Sequence, residues 1–289
     1  MSSSSLPPRS LDPQRRVGQI VAGRYELVAL IGTGGQGAVY RARDRRAGDE
    51  VALKLVASRD PDAVERTFRE AQVMCQLHGT AAVRVLHQVR ADDGALGLVL
   101  ELLQGADLAH VIDRREAEGK RADAAFLAPI FEPVVATLEA AHDHGIVHRD
   151  IKTTNIFVTG DGGVRLLDFG FAKLLRAPQI TAADAVAGSP SYLAPEVWLR
   201  GSTHADPLVD VYALGVVLFR VLGGRMPFEG TVLELMQLAT TAKRPSLHAL
   251  RPDLRATVDD WVAHVLAIEP SARFQRPLAA WRALLSCLD

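Results

Sequence analysis

Residues 148–155 read HRDIKTTN, and they gather an acid, two bases and an amide (Asp150, Arg149, Lys152 and Asn155) into one short connection. The chain is apolar on both sides, through Ile146 and Val147 before it and Ile156, Phe157 and Val158 after it. A connection that only turns the chain uses Gly, Ser and Pro, so this density of polar groups marks a working site. A second candidate lies upstream. LIGTGGQGAVY (30–40) sets Gly32, Gly34 and Gly37 in a G-x-G-x-x-G spacing. Without a Cβ, such glycines let the backbone approach a phosphate closely. Lys54 closes the apolar run VALK (51–54), from which it can reach nucleotide phosphates or snorkel to solvent. Glu70 lies on a helical pattern beside Val73, Met74 and Leu77. A carboxylate on such an apolar strip wants a cation, which suggests a Lys54–Glu70 ion pair.

The elements that must position these residues follow from periodicity. A dinucleotide fold requires a helix directly after the last glycine. Here AVYRAR alternates and contains β-branched Val39, which favours strand–loop–strand. A plain glycine-rich hairpin also remains open for the loop alone. Strands are expected at 39–43 and 51–56 around the polar turn RDRRAGDE, and two more in AVRVLHQV and ALGLVLELL around ADDG. Between these pairs, Val64, Phe68, Ala71 and Cys75 share one helical face, with Pro61 in its first turn. Beyond about residue 105 the pattern becomes helical. It includes an amphipathic stretch at 123–143 containing Pro133, a hairpin of NIFV and VRLLDF around GDGG, and helices from 206 onward. The expected class is α+β, with a small strand-rich lobe (19–103) and a large helical lobe (104–289) sharing a cleft.

Composition narrows the possibilities. The 289 residues are 48% hydrophobic, enough for a substantial core, and 33 basic against 34 acidic residues give no general grip on nucleic acid or an acidic membrane. No nucleic-acid partner is expected. Two distant cysteines, Cys75 and Cys287, suit neither a disulfide framework nor a zinc site, and the default compartment is the reducing cytoplasm. The start, MSSSSLPPRSLDPQRR, lacks the apolar core of a secretory signal, and residues 1–18 are expected to be a disordered tail. The longest apolar run, VYALGVVLF (211–219), falls short of the ~20 residues of a spanning helix, so no membrane segment is expected in this chain.

LLDFG (166–170) and YLAPE (192–196) complete a series. The glycine loop, Val-Ala-x-Lys, the helix glutamate, the HRD loop, Asp-Phe-Gly and Ala-Pro-Glu occur in the order and spacing of the protein kinases. The chain resembles that superfamily over about residues 22–286, and most of all the bacterial serine/threonine kinases of eukaryotic type. The resemblance implies a bilobal kinase fold and ATP-dependent phosphoryl transfer to a Ser or Thr hydroxyl of a protein, another copy of itself in trans included. It makes Asp150 the group that orients the hydroxyl and accepts its proton, and Lys152 the cation near the γ-phosphate. Asn155 and Asp168 become the Mg²⁺ ligands and Lys54, paired with Glu70, the α/β-phosphate anchor. By the same resemblance the nucleotide is lined by Ile31, Gly32, Thr33, Gly34, Gly35, Gln36, Gly37, Val39, Ala52 and Phe157. The hinge backbone at Glu101 and Leu103 takes the adenine edge, and Leu100 is the gatekeeper. Asp107 either reaches the ribose or caps a helix at Leu108.

Further matches are structural or regulatory. Glu196 and Arg273 resemble the ion pair that locks the back lobe, and Asp210 the acid that holds the catalytic-loop backbone. His148 is expected to be a packed structural residue. Arg149 before the catalytic Asp implies control by phosphorylation in 168–196, with Thr181 the preferred phosphosite and Asp184 an alternative fixed charge. Two departures stand out: HGTAAV replaces the usual His-Pro-Asn, and Thr154 stands where many relatives carry a carboxylate that reads substrate arginine. Two other readings compete, a silent kinase-fold scaffold and a small-molecule phosphotransferase. GSPSYLAPE, which forms a peptide platform in relatives, argues against the second.

Overall fold

The computed structural model describes residues 12–34, 37–56, 77–169, 190–201 and 206–288. They divide into two compact units, one drawn from Met1–Val64 and Val85–Leu102, the other from Glu65–Arg84 and Leu103–Asp289.

The first unit is a six-stranded antiparallel sheet. Its strands are β1 (Ile20–Val21), β2 (Tyr25–Gly34), β3 (Gly37–Asp44), β4 (Glu50–Val56), β5 (Val85–Arg90) and β6 (Leu96–Glu101), in the order β1-β2-β3-β4-β6-β5. β4 is central, and every residue from Val51 to Val56 is buried, which is why its sequence is an apolar run rather than an alternation. Both pairs of strands expected around RDRRAGDE and ADDG form. Tyr25, Leu27, Tyr40, Leu53 and Val99 fill the core on one face.

The chain passes from β2 to β3 through the glycine stretch, with Gly34 opposite Gly37 and strand, not helix, after the last glycine. That excludes the dinucleotide geometry. Gly37 has φ +128°, and a Cβ there would collide with the Leu55 carbonyl oxygen of β4. Gly37→Ala is therefore expected to cost about 1–3 kcal/mol, read as a lower urea midpoint.

Where a disordered tail was expected up to residue 18, Pro13–Arg16 form a 3-10 turn whose Pro13 carbonyl accepts from the buried Tyr40 hydroxyl at 2.9 Å. Arg16 adds an ion pair to Asp93 at 2.9 Å. Composition alone read this stretch as polar, and the docking of Pro13 on Tyr40 was not visible in it.

The second unit holds a three-stranded sheet, β7 (Gly105–Asp107), β8 (Ile156–Thr159) and β9 (Val164–Leu166). Its helices among the described residues are α1 (Leu108–Ala117), α2 (Ala124–Asp143), α3 (Pro195–Arg200), α4 (Leu208–Gly223), α5 (Val232–Thr241), α6 (Val258–Val265) and α7 (Pro277–Leu288). Asp123 caps α2 by accepting from the Phe126 N–H at 2.8 Å, and the helix runs through Pro129 and Pro133. α2 is long and apolar enough to cross a membrane by length and composition, but it buries Leu127, Ile130, Phe131, Val134 and Leu138 within this unit as a core helix does. α4 is buried on every side, and only Leu208, Arg220 and Gly223 in it are not. Gly215 permits that closeness, since a Cβ there would meet Val265 at 2.7 Å.

The unusual HGTAAV stretch has a structural use. The Ala81 carbonyl accepts from the Leu166 N–H at 2.7 Å and the Val83 N–H donates to the Leu166 carbonyl at 3.0 Å, an extra parallel bridge on β9. Ala81 N–H in turn donates to Thr137 Oγ1 on α2 at 2.9 Å.

Candidate active site

In the first unit, β4 places Lys54 between Val39 of β3 and Leu98 of β6. It is the single charged residue in the buried run and is only 4% exposed. An ammonium so deeply held calls for an anion beside it rather than snorkelling to solvent. Val39 and Ala52 lie on the neighbouring strands β3 and β4, and Ile31, Gly32, Thr33 and Gly34 on the last turn of β2. Ile31 is 52% exposed, an open aliphatic surface beside the glycines. Glu101 ends β6 opposite Val51. Gly35, Gln36 and Glu70 lie outside the described residues, and so does the expected Lys54–Glu70 pair.

In the second unit the loop before β8 brings the expected catalytic groups together. Asn155 donates its Nδ2 hydrogens to the Asp150 carbonyl (2.7 Å) and to Asp150 Oδ2 (2.9 Å). Lys152 Nζ reaches the same Oδ2 at 2.9 Å. Asp150 and Asn155 are both buried. The Asn155 carbonyl accepts from the Leu167 N–H at 2.8 Å, which fixes the residue before Asp168. Asp168 has φ +51°, a left-handed conformation uncommon for a residue with a side chain. With both Nδ2 bonds spent on Asp150, the Asn155 side chain keeps Oδ1 for a cation. Together with the Asp168 carboxylate this is a hard-oxygen pair, the type Mg²⁺ uses when phosphates and waters complete its shell. Phe157 follows on β8, paired with Arg165 and Asp107.

Asp210, 0% exposed at the start of α4, anchors this loop. Its Oδ1 accepts from the Arg149 N–H (2.7 Å), and its Oδ2 from the His148 N–H (2.8 Å) and from His142 Nε2 (2.8 Å). Arg149 has φ +64°, so the acid holds a strained residue in place. The sequence reading missed His142. Its signal is the spacing, six residues before His148 on the last turn of α2.

His148 is packed as expected. Nε2 donates to the Leu167 carbonyl (2.8 Å), Nδ1 accepts from the Asp150 N–H (3.3 Å), and its ring lies 4.4 Å from that of Phe169. These partners require a neutral imidazole carrying its hydrogen on Nε2. Burial pushes its pKa below the ordinary value of about 6.5, against the pull of Asp210 and Asp150. In the unfolded chain the imidazole protonates as pH falls through about 6.5, while in the fold it resists. Stability from this group is complete above that pH and is lost below it, by up to ~1.4 kcal/mol per pH unit. Unfolding free energies from urea melts should be nearly level from pH 7.5 to about 6.5 and fall toward that slope by pH 5.5, and less so in His148→Gln.

Asp107 caps α1, accepting from the His110 N–H at 3.0 Å and from the His110 ring at 2.9 Å, a contact that raises the imidazole pKa. Leu103 sits just before β7. Glu196 on α3 and Arg273 form the expected pair, with Nη1 and Nη2 at 2.8 and 2.6 Å from its two oxygens. The fully buried guanidinium also donates to the carbonyls of Leu208, Ala267 and Ile268, which ties the start of α4 to the turn before α7. A further contact, between Thr153 Oγ1 and the Tyr192 hydroxyl at 3.1 Å, links the catalytic loop to YLAPE. Thr181 and Asp184 lie outside the described residues.

A β-rich unit carrying a glycine turn and a buried lysine, and a helical unit carrying this loop, are the two parts of the protein kinase fold. The sequence matches the Protein kinase domain family over residues 25–280, and the chain belongs to that family. It is 35% identical over 273 residues to the probable serine/threonine-protein kinase PknB of Corynebacterium glutamicum, covering 89% of this chain and 41% of that one. It is 35% identical over 267 residues to the serine/threonine-protein kinase PknA of Mycobacterium tuberculosis, covering 90% and 60%. The chain thus spans less than two thirds of these relatives. Among solved structures, the PknI kinase domain of M. tuberculosis superposes with a TM-score of 0.73 at 26% identity, covering 93% of this chain and 98% of that one.

Proposed function

We propose that the chain is an ATP-dependent serine/threonine protein kinase, transferring the γ-phosphoryl group to Ser or Thr hydroxyls of proteins. The observation that carries this reading is the buried Asp150 carboxylate held at one oxygen by both Asn155 and Lys152. In that arrangement Asp150 orients the incoming hydroxyl and takes its proton, and Lys152 offsets charge on the transferring group. Lys54 anchors the α- and β-phosphates, and the amides of residues 32–37 cover them. Mg²⁺, when held by Asn155 and Asp168, neutralises phosphate charge. The adenine edge meets the backbone of Glu101 and Leu103, and Asp107 is placed for the ribose when His110 releases it. Lys152 and the relatives' printed names both favour the serine/threonine branch. Thr154 offers no carboxylate to a substrate arginine.

The test is transfer of label from γ-labelled ATP with Mg²⁺ to a generic protein substrate, with Lys54→Met as the inactive control. Label on Ser and Thr from wild type alone supports the reading. Nucleotide binding without any transfer to protein refutes it and leaves a kinase-fold scaffold.

Regulation by phosphorylation in 168–196 belongs to the same proposal: a phosphate on Thr181 pairs with Arg149 and orders the segment. Thr181→Ala is expected to lower activity at least about tenfold, since charge-assisted bonds to one phosphate are worth more than 1.4 kcal/mol. Undiminished activity, with no mass shift at Thr181 in wild type, defeats it.

A further inference from the structure

The end of α1, the turn into α2 and the end of α4 line an open pocket of about 120 Å³. Its lining is apolar at Ile112, Ala122, Val221 and Leu222, all buried, with half-buried Leu250. Around these lie four cations, Arg115, Lys120, Arg121 and Arg251, against the single carboxylate of Glu116.

Most of that charge is committed. Glu116 is bound by Arg220 at 2.5 Å, and Lys120 by Glu118 at 2.7 Å. Arg251 is buried, forks onto Asp253 and donates Nη1 to the carbonyls of Ala122 and Leu222. Arg121 shares Asp253 at 3.3 Å. Arg115 differs. Its Nε and Nη2 both donate to the Arg121 carbonyl, at 3.2 and 2.9 Å, and its guanidinium lies 4.3 Å from the centroid of the Phe126 ring. It forms no ion pair among the described residues, and Nη1 makes no hydrogen bond there. A guanidinium thus lies over an aromatic ring, with donors to spare, in the wall of a pocket lined by both apolar and basic side chains.

We propose that this pocket binds a small amphipathic carboxylate, with Arg115 as its anion-binding residue. Volume sets the apolar part: a sealed apolar cavity of about 150 Å³ accepts benzene, and this pocket is smaller, which suits a short branched alkyl group. Charge sets the head: one uncommitted guanidinium matches a monoanion, and the planar fork favours a carboxylate. The site is distinct from the residues assigned to phosphoryl transfer and does not depend on that activity.

The probe is 3-methylbutanoate, titrated calorimetrically into the whole chain and compared with its neutral amide. Saturable binding is expected, with the amide at least about tenfold weaker. Arg115→Gln should weaken the acid by a similar factor while the affinity of the amide stays the same. Leu250→Trp, which narrows the pocket without altering charge, should weaken both probes. Absence of saturation below about 10 mM, weaker than usual efficiencies give a ligand of this size, overturns the proposal. Equal affinity for acid and amide, or affinity unmoved by both variants, overturns it too.

Discussion

Asp150→Asn is expected to slow phosphoryl transfer by about a thousandfold, within the range that removal of a general base produces. The amide is nearly isosteric. Its oxygen can take the place of Oδ2 and keep the bonds from Asn155 (2.9 Å) and Lys152 (2.9 Å), so the loop retains its shape. What disappears is the negative charge and with it the capacity to accept a proton from the substrate hydroxyl. The melting temperature should stay within about 2 °C, less than a 1 kcal/mol change produces in a chain of this size. Nucleotide affinity should change by less than about threefold, because the phosphates are anchored elsewhere. Single-turnover transfer, equilibrium nucleotide binding and a thermal melt on one preparation separate these effects. A rate loss below tenfold would show that Asp150 only positions the hydroxyl.

The sequence made the catalytic loop legible because its groups are close in the chain. Asp150, Lys152 and Asn155 occupy six residues, and a buried loop of that length has few ways to satisfy an acid, a cation and an amide except with one another. β4 was equally plain, since an apolar run interrupted by one lysine describes a central strand with one buried charge. Contacts across long stretches of chain were harder to read. Arg273 meets Glu196 across 77 residues, and only the family's pattern pointed to it. His142 carried no such flag: a histidine at the end of an amphipathic helix reads as a surface residue until α4 delivers Asp210 against it. Pro13 and Arg16 were misjudged for the same reason, because a polar, proline-rich stretch docks here through a single tyrosine hydroxyl and one ion pair. Asp107 shows the opposite limit. Both of its readings were local and reasonable, and the structure realises the cap, with His110 folded back onto the carboxylate.

Asp210→Ala should be strongly damaging to the second unit, because the acid accepts from three donors, the His148 and Arg149 amides and the His142 ring. Removing it leaves the buried His148 amide and the partly buried Arg149 amide and His142 imidazole without that acceptor. At about 1–3 kcal/mol for each buried donor left unmade, the loss sums to roughly 3–5 kcal/mol after partial relaxation. The cost does not stop at stability. Arg149 is held at φ +64° by its bond to Oδ1, and without that bond it relaxes toward the right-handed region and rotates the Asp150 backbone that follows. Asn155 and Lys152 both take their bearings from Asp150, so the surviving folded fraction should transfer phosphate at least about a hundredfold more slowly, the usual penalty for misplacing reacting groups by about an ångström. Asp210→Asn separates the two effects. One oxygen remains to accept from His148 and His142, while an NH₂ group opposes the Arg149 N–H, so stability should recover by about half while transfer stays slow. Urea unfolding gives the first quantity, and transfer rates measured well below the melting temperature give the second. If the alanine variant loses less than about 1 kcal/mol, the three bonds are incidental and the strained loop is held by its packing instead.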